Sequence, residues 1–209
     1  MQILLIAATE QEVQPLAATN PGIDILVTGT GVPSTIYHLQ KRMLQIDYDL
    51  IIQAGIAGTY NSNINPGQTV LVKQDSFGDL GMEEKENFTP LFESGLADKN
   101  EFPFTNGWLV NPHEIFKSPP LPAVHAITVN KVSDSELQKK QFVKQFNADI
   151  ESMEGAALHF VCLQENIPFM QVRSVSNYVG ERDKTKWLMK EAIVSLNTEL
   201  SKLVNQLTN

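Results

Sequence analysis

Leu50-Ile51-Ile52-Gln53-Ala54, followed by Gly55-Ile56-Ala57-Gly58, is the stretch on which the fold turns. The first five residues form a short apolar run, the pattern of a strand covered on both faces. The small residues behind it mark the C-terminal end of that strand. They either let a flat ligand approach the backbone or simply turn the chain, and the motif alone does not choose.

Working outward, the same pattern recurs. Gln2 to Ala8 reads as a first buried strand and Glu10 to Ala18 as a short helix. Ile23 to Thr28 is a second strand, running through Gly29-Thr30-Gly31 into a helix from Pro33 to Leu44, with proline well placed at its start. Gln68 to Gln74 is a fourth strand. Residues 76–120 are rich in Gly, Pro, Phe and acids without a clear period, a long excursion of the kind that is usually functional or mobile. Regularity resumes with a strand at Val124 to Val129 and helices from Ser135 to Phe146 and from Ser152 to Glu165. A strand from Pro168 to Val175 and a final amphipathic helix from Lys184 to Leu207 follow. Alternating strands and helices predict one α/β domain over residues 1–209, with a central mixed, largely parallel sheet flanked by helices in a three-layer sandwich.

Composition narrows the functions. The chain has 209 residues, 42% of them hydrophobic, enough for a substantial core. A net charge of −8 argues against nucleic acid or an anionic membrane as partner. Lys and Arg are absent before Lys41. Cys162, the single cysteine, sits in an apolar helical stretch and is expected to be buried, with no disulfide framework. The apolar start lacks a basic flank and is interrupted by Glu10 and Glu12, so it reads as a strand, not a signal peptide, and a cytoplasmic location is expected. His38, His113, His125 and His159 lack metal-ligand spacing, and no metal is expected.

Chemistry concentrates at a few residues. Gly29-Thr30-Gly31-Val32-Pro33-Ser34 fails as a dinucleotide fingerprint, because Ser34 replaces the third glycine and the loop follows the second strand. Its backbone N–H groups remain available to an anion or a water. Glu12, just after the first strand, suits either a general base toward water or the first turn of a helix. Glu154 is expected in the first turn of an almost wholly apolar helix, where a carboxylate facing the core needs a partner such as a sugar diol. Glu151 is expected to be solvated. Arg173, near the end of a buried strand, needs a carboxylate or an anionic substrate. Asn177 is either a turn residue or a reader of a purine edge.

Taken together, ATEQEV (8–13), TGTG (28–31), QAGIAG (53–58), SMEGAA (152–157) and VRSVSN (172–177) resemble, nearly end to end, the nucleoside phosphorylase and nucleosidase superfamily. The closer resemblance is to futalosine hydrolases of menaquinone biosynthesis, through DSFGDLGMEEKENFTPL (75–91), TVNKVSDS (128–135), ESMEGAA (151–157) and VRSVSNYVGERD (172–183), with Trp187 beyond. The resemblance implies the nucleoside phosphorylase-like fold and a hydrolase that releases hypoxanthine from futalosine without metal or organic cofactor. The alternatives, in order, are a methylthioadenosine/S-adenosylhomocysteine or aminodeoxyfutalosine nucleosidase, a purine nucleoside phosphorylase and a non-catalytic nucleoside-binding protein.

The resemblance also implies roles. Glu12 matches the water-activating carboxylate, Glu154 the group that holds the ribose hydroxyls, Met153 the side chain under the sugar, and Arg173 an arginine near the attacking water. Asn177 stands where adenine-cleaving relatives carry an aspartate, which favours a 6-oxopurine. Ile56 stands where they carry a serine, beside Gly55 and Ala57 in the binding loop. Ser135 is expected to help bind substrate and Arg182 to meet the benzoate of futalosine. Leu80, Met82 and Phe88 resemble the segment that reaches a neighbouring subunit's pocket, so a homodimer or higher homo-oligomer is implied.

Overall fold

The computed structural model describes residues 1–85, 87–113, 121–132 and 135–208. Glu86, the 114–120 part of the excursion and residues 133–134 of the TVNKVSDS motif lie outside the described residues. The strands are β1 (Ile3–Ala7), β2 (Asp24–Val27), β3 (Leu50–Thr59), β4 (Thr69–Asp75), β5 (Gly81–Glu84), β6 (Asn87–Pro90), β7 (Leu109–Val110), β8 (Ala123–Thr128), β9 (Ile150–Ser152) and β10 (Phe169–Tyr178). The helices are α1 (Glu10–Thr19), α2 (Val32–Met43), α3 (Glu136–Phe146), α4 (Gly155–Gln164) and α5 (Met189–Thr208).

β1 shows why the apolar runs matter. Its odd residues Ile3, Leu5 and Ala7 pack toward a cluster with Leu16, Leu196, Leu200 and Leu203 of α1 and α5. Leu4 and Ile6 pack the other way, against Leu39 of α2 and Leu158 of α4. Side chains alternate across a strand, so a run that is apolar at every position needs a helical layer on each face. Cys162 is buried in the second cluster, where burial pushes its thiol pKa up.

The sheet departs from a three-layer sandwich. β2, β1, β3 and β10 run parallel in that order. β10 then pairs antiparallel with β4, β4 parallel with β8, and β8 parallel with β9. β9 returns to pair antiparallel with β3. Strands β3, β10, β4, β8 and β9 therefore close into a barrel-like ring, with β1 and β2 as an extension from one side. The cause is the length of β3. Its first residues pair with β1 from Leu50 to Gln53, and its last, Gly58 and Thr59, pair with β9. One edge of one strand serves two neighbours in succession, and that lets the sheet curl shut.

Local expectations shift accordingly. Gly55 to Gly58 are strand residues, not a turn after the strand. The helix expected from Ser152 begins at Gly155, because Ile150 to Ser152 form β9. The segment expected to be helical from Lys184 begins with a short 3-10 turn, Lys184 to Lys186, and α5 starts at Met189. Within the aperiodic excursion, β5 and β6 form a two-stranded hairpin. Among the described residues, no helix is long and apolar enough to cross a membrane.

Candidate active site

The ends of β1, β2, β3 and β10 open onto a cavity of about 280 Å³ lined by Thr9, Glu12, Thr30, Ile56, Ala57, Gly58, Glu151, Met153, Glu154 and Asn177. Its far wall is apolar, built from Val129, Val132, Trp187, Met189 and Ile193. Carboxyl ends of strands are where open α/β sheets take ligands, since the connecting loops diverge there.

Glu12 is 6% exposed and uses its two oxygens differently. Oε2 accepts from the Thr9 amide at 2.9 Å and the Thr9 hydroxyl at 3.0 Å, closing the first turn of α1. Oε1 faces the other way and accepts from the Ile56 amide at 3.1 Å. The capping role and a role in the cavity therefore coexist in one side chain. Because position 56 contributes its backbone N–H, isoleucine serves Glu12 there without a hydroxyl.

Glu154 is the N-cap residue of α4, one position before the first turn in which it was expected. Its Oε1 accepts from the Gly31 amide at 3.1 Å, and Oε2 lies 3.5 Å from Arg173 Nη1. The anion served by the glycine loop after β2 is thus a protein carboxylate. Gly31 has φ 92°, in the region that favours glycine, and this conformation starts α2 just where its amide meets Glu154.

Arg173 is 1% exposed and lies behind the cavity wall, not on it. Nη2 donates to Gln53 Oε1 at 2.9 Å. Gly55 makes the room. A Cβ there would collide with Arg173 Nη1 and stand 3.1 Å from Glu12 Oε1, so the guanidinium and the Glu12 carboxylate come together over that glycine. Deeper still, Asp75 accepts from the Thr128 hydroxyl at 3.0 Å, the Ser76 amide at 2.8 Å and Gln171 Nε2 at 3.1 Å. Burial outweighs these donors and pushes the Asp75 pKa up to about 6. Burial likewise pulls that of His159 down to about 4, and its Nδ1 bonds the Leu109 carbonyl at 2.8 Å.

Asn177 sits just past the irregularity between Val175 and Asn177 in the β10–β3 register. Its Oδ1 accepts from the Ser176 hydroxyl at 2.7 Å, and its Nδ2 donates to the Tyr178 carbonyl at 3.0 Å. Glu151, expected in solvent, is 8% exposed and accepts from the Tyr60 hydroxyl. Burial raises its pKa, Tyr60 lowers it, Asp79 raises it and Arg182 lowers it.

The remaining expected residues lie elsewhere. Ser135 caps α3, its hydroxyl accepting from the Gln138 amide at 3.3 Å, and does not line the cavity. Leu80 and Met82 are exposed along the hairpin, while Phe88 packs edge-on against Phe142 of α3. Arg182 is exposed at the surface on the Glu151 side. The residues missed are Gln53, Tyr60 and Glu151. Gln53 had a signal, as the one polar side chain in the otherwise apolar run Leu50 to Ala54. Glu151 had none, because its burial depends on β9 pairing with β3.

The sequence model of the phosphorylase superfamily matches residues 22–209. A futalosine hydrolase from Thermus thermophilus is 28% identical over 186 residues, covering 88% of this chain and 81% of that protein. The structure of 5'-methylthioadenosine/S-adenosylhomocysteine nucleosidase from Neisseria meningitidis, in complex with methylthio-immucillin-A, superposes with a TM-score of 0.83 at 15% identity, over 99% of this chain and 100% of that one. The native structure of futalosine hydrolase from Helicobacter pylori strain 26695 superposes with a TM-score of 0.81 at 15% identity, over 98% and 97% of the two chains. At those identities the structural likeness establishes the fold, an α/β fold with a mixed sheet and flanking helices.

Proposed function

The chain belongs to the phosphorylase superfamily, and from that premise we propose that it hydrolyses the N-glycosidic bond of futalosine, releasing hypoxanthine and dehypoxanthinylfutalosine. The observation that carries the proposal is the convergence of Glu12, Glu154 and Asn177 on one cavity whose described lining contains no Lys, Arg or His. Three carboxylates and no cation repel phosphate and suit water as the nucleophile. Arg173 is already committed to Glu154 and Gln53.

On this proposal the bond from the ribose anomeric carbon to the purine lengthens first, leaving an oxocarbenium-like sugar and placing the bonding pair on the base. Glu12 Oε1 takes a proton from a water, whose oxygen bonds the anomeric carbon from the opposite face. Glu154 accepts from the ribose hydroxyls and stabilises the positive sugar, with Met153 beneath the ring. Asn177 stabilises the departing purine, which takes its proton from solvent. Ile56, Ala57 and Gly58 form the floor, Ile56 holds Glu12 through its amide, and Gly55, expected in the binding loop, instead makes room for Arg173 behind the wall. No metal or organic cofactor enters. Residues 1–209 act as one domain in the cytoplasm, and exposed Leu80 and Met82 support assembly into at least a homodimer.

The test is incubation of the pure protein with futalosine, inosine and methylthioadenosine, with and without phosphate, and identification of the released base by chromatography. Hypoxanthine from futalosine without phosphate is the expected result. Preferential adenine release from methylthioadenosine, or strict dependence on phosphate, would overturn the proposal.

A further inference from the structure

Gly58 of β3 is the register partner of Asn177 on one side and of Glu151 on the other. Register partners carry their side chains on the same face of a sheet. Since Gly58 has none, both neighbours come close to the space over it: a Cβ at 58 would stand 3.0 Å from Val179 Cγ2, 3.5 Å from Asn177 Nδ2 and 3.7 Å from Glu151 Cγ. Both side chains line the cavity. Tyr60 occupies Glu151 Oε2, and among the described residues no donor reaches Oε1. The carboxylate lines the cavity, so a ligand there can bring Oε1 a donor.

We propose that Glu151 is a second base-reading residue, whose Oε1 accepts the N1–H of a 6-oxopurine while the Asn177 amide takes O6 and N7. The inference rests on the proposed 6-oxopurine nucleoside substrate. Its force is that Asn177 cannot discriminate alone. The Tyr178 carbonyl and the Ser176 hydroxyl hold its amide, but by turning over at the cost of the Tyr178 bond the amide would present oxygen to an amine, so its preference between purine edges is limited to about that one hydrogen bond. A carboxylate can only accept. Hypoxanthine offers it a donor at N1, whereas adenine offers a bare acceptor at N1 and is repelled. Tyr60 holds the carboxylate in place.

Calorimetric binding of hypoxanthine, 1-methylhypoxanthine and adenine to the whole protein and to Glu151→Gln tests this. Hypoxanthine should bind roughly tenfold or more tighter than either competitor, because each leaves the carboxylate unserved or opposed. Glu151→Gln, whose amide can donate to the adenine N1, should shrink the hypoxanthine-to-adenine ratio by about tenfold. Tyr60→Phe should shrink it less, in the same direction. Equal affinity for hypoxanthine and 1-methylhypoxanthine, or a ratio in Glu151→Gln unchanged within about twofold, would overturn the assignment. The methylated base needs no variant, so a Glu151→Gln protein that fails to fold leaves the test intact. Free bases need no turnover either. The expected preferences without futalosine cleavage would sink the proposed reaction and keep the base-reading pair. Futalosine cleavage with no penalty for N1 methylation would do the reverse.

Discussion

Glu12 and Glu154 are held mainly by the backbone, through the amides of Thr9, Ile56 and Gly31, whereas Asn177 and Glu151 are held by the side chains of Ser176 and Tyr60 and by one carbonyl. The first end of the cavity is therefore a property of the fold. Its donors persist whatever residues stand at those positions, and they pre-orient charge before any ligand arrives. The second end is a property of particular side chains and can be rewritten without disturbing a strand. On the proposed function, chemistry falls to the end built from main chain and selectivity to the end built from side chains, a division that would let one fold serve several bases.

The sharpest way to break that comparison is at Glu12. Glu12→Gln keeps an acceptor for the Ile56 amide but loses the base, so kcat/KM for futalosine should fall by about 10²–10⁴ while the circular dichroism spectrum stays unchanged. A loss of only a few-fold would remove Glu12 from the chemistry. Next is Arg173→Met, which leaves Glu154 buried without its counter-ion. Urea unfolding should show a loss of about 3–5 kcal/mol, the cost of one half of a broken buried pair. Stability unchanged at that position would mean that the first end is not a unit.

The second end should behave oppositely. Asn177→Asp should move the futalosine to aminodeoxyfutalosine preference toward the 6-amino compound by about ten- to a hundredfold. Its unfolding midpoint should not move. Loss of stability without a change in preference would assign Asn177 to the strand irregularity alone.

The smallest effect in the unmodified protein concerns pH. His159 has its folded pKa depressed from 6.5 to about 4, so its contribution to stability is present above 6.5 and is lost as pH falls toward 4. Asp75 has its folded pKa raised from 3.8 to about 6, so its contribution is present below 3.8 and is lost as pH rises through 6. The two slopes oppose each other between pH 4 and 6, and the net drift in the unmodified protein should be slight. His159→Gln should unmask Asp75. Its urea midpoint should rise on acidification from pH 6 to 4, by up to about 3 kcal/mol in stability. A flat profile in the variant would show that Asp75 is not burdened by burial.

Much of this was legible beforehand, for identifiable reasons. β1 and the first half of β3 are apolar at every position but Gln53, and that pattern has few structural solutions. The two glutamates and the asparagine stand out because they follow such strands. What stayed hidden depends on contacts distant in sequence. Gly55 and Gly58 looked like the end of a strand because glycine usually ends one. They continue it here, since Arg173 and Glu12 fill the space over one glycine, and Val179, Asn177 and Glu151 that over the other. The hairpin from Gly81 to Pro90 carried no alternation because its strands are short and mostly exposed.

By itself, then, the sequence determined the alternation of covered strands and helices, and with it the edge at which a site would form. Residue chemistry and periodicity are local and survive without knowledge of partners. Only the tertiary structure decided that β3 would exchange β1 for β9 along one edge and curl the sheet into a ring. That exchange brings Glu151 beside Gly58, far away in the chain, and turns a residue expected in water into a buried carboxylate in the wall of the cavity.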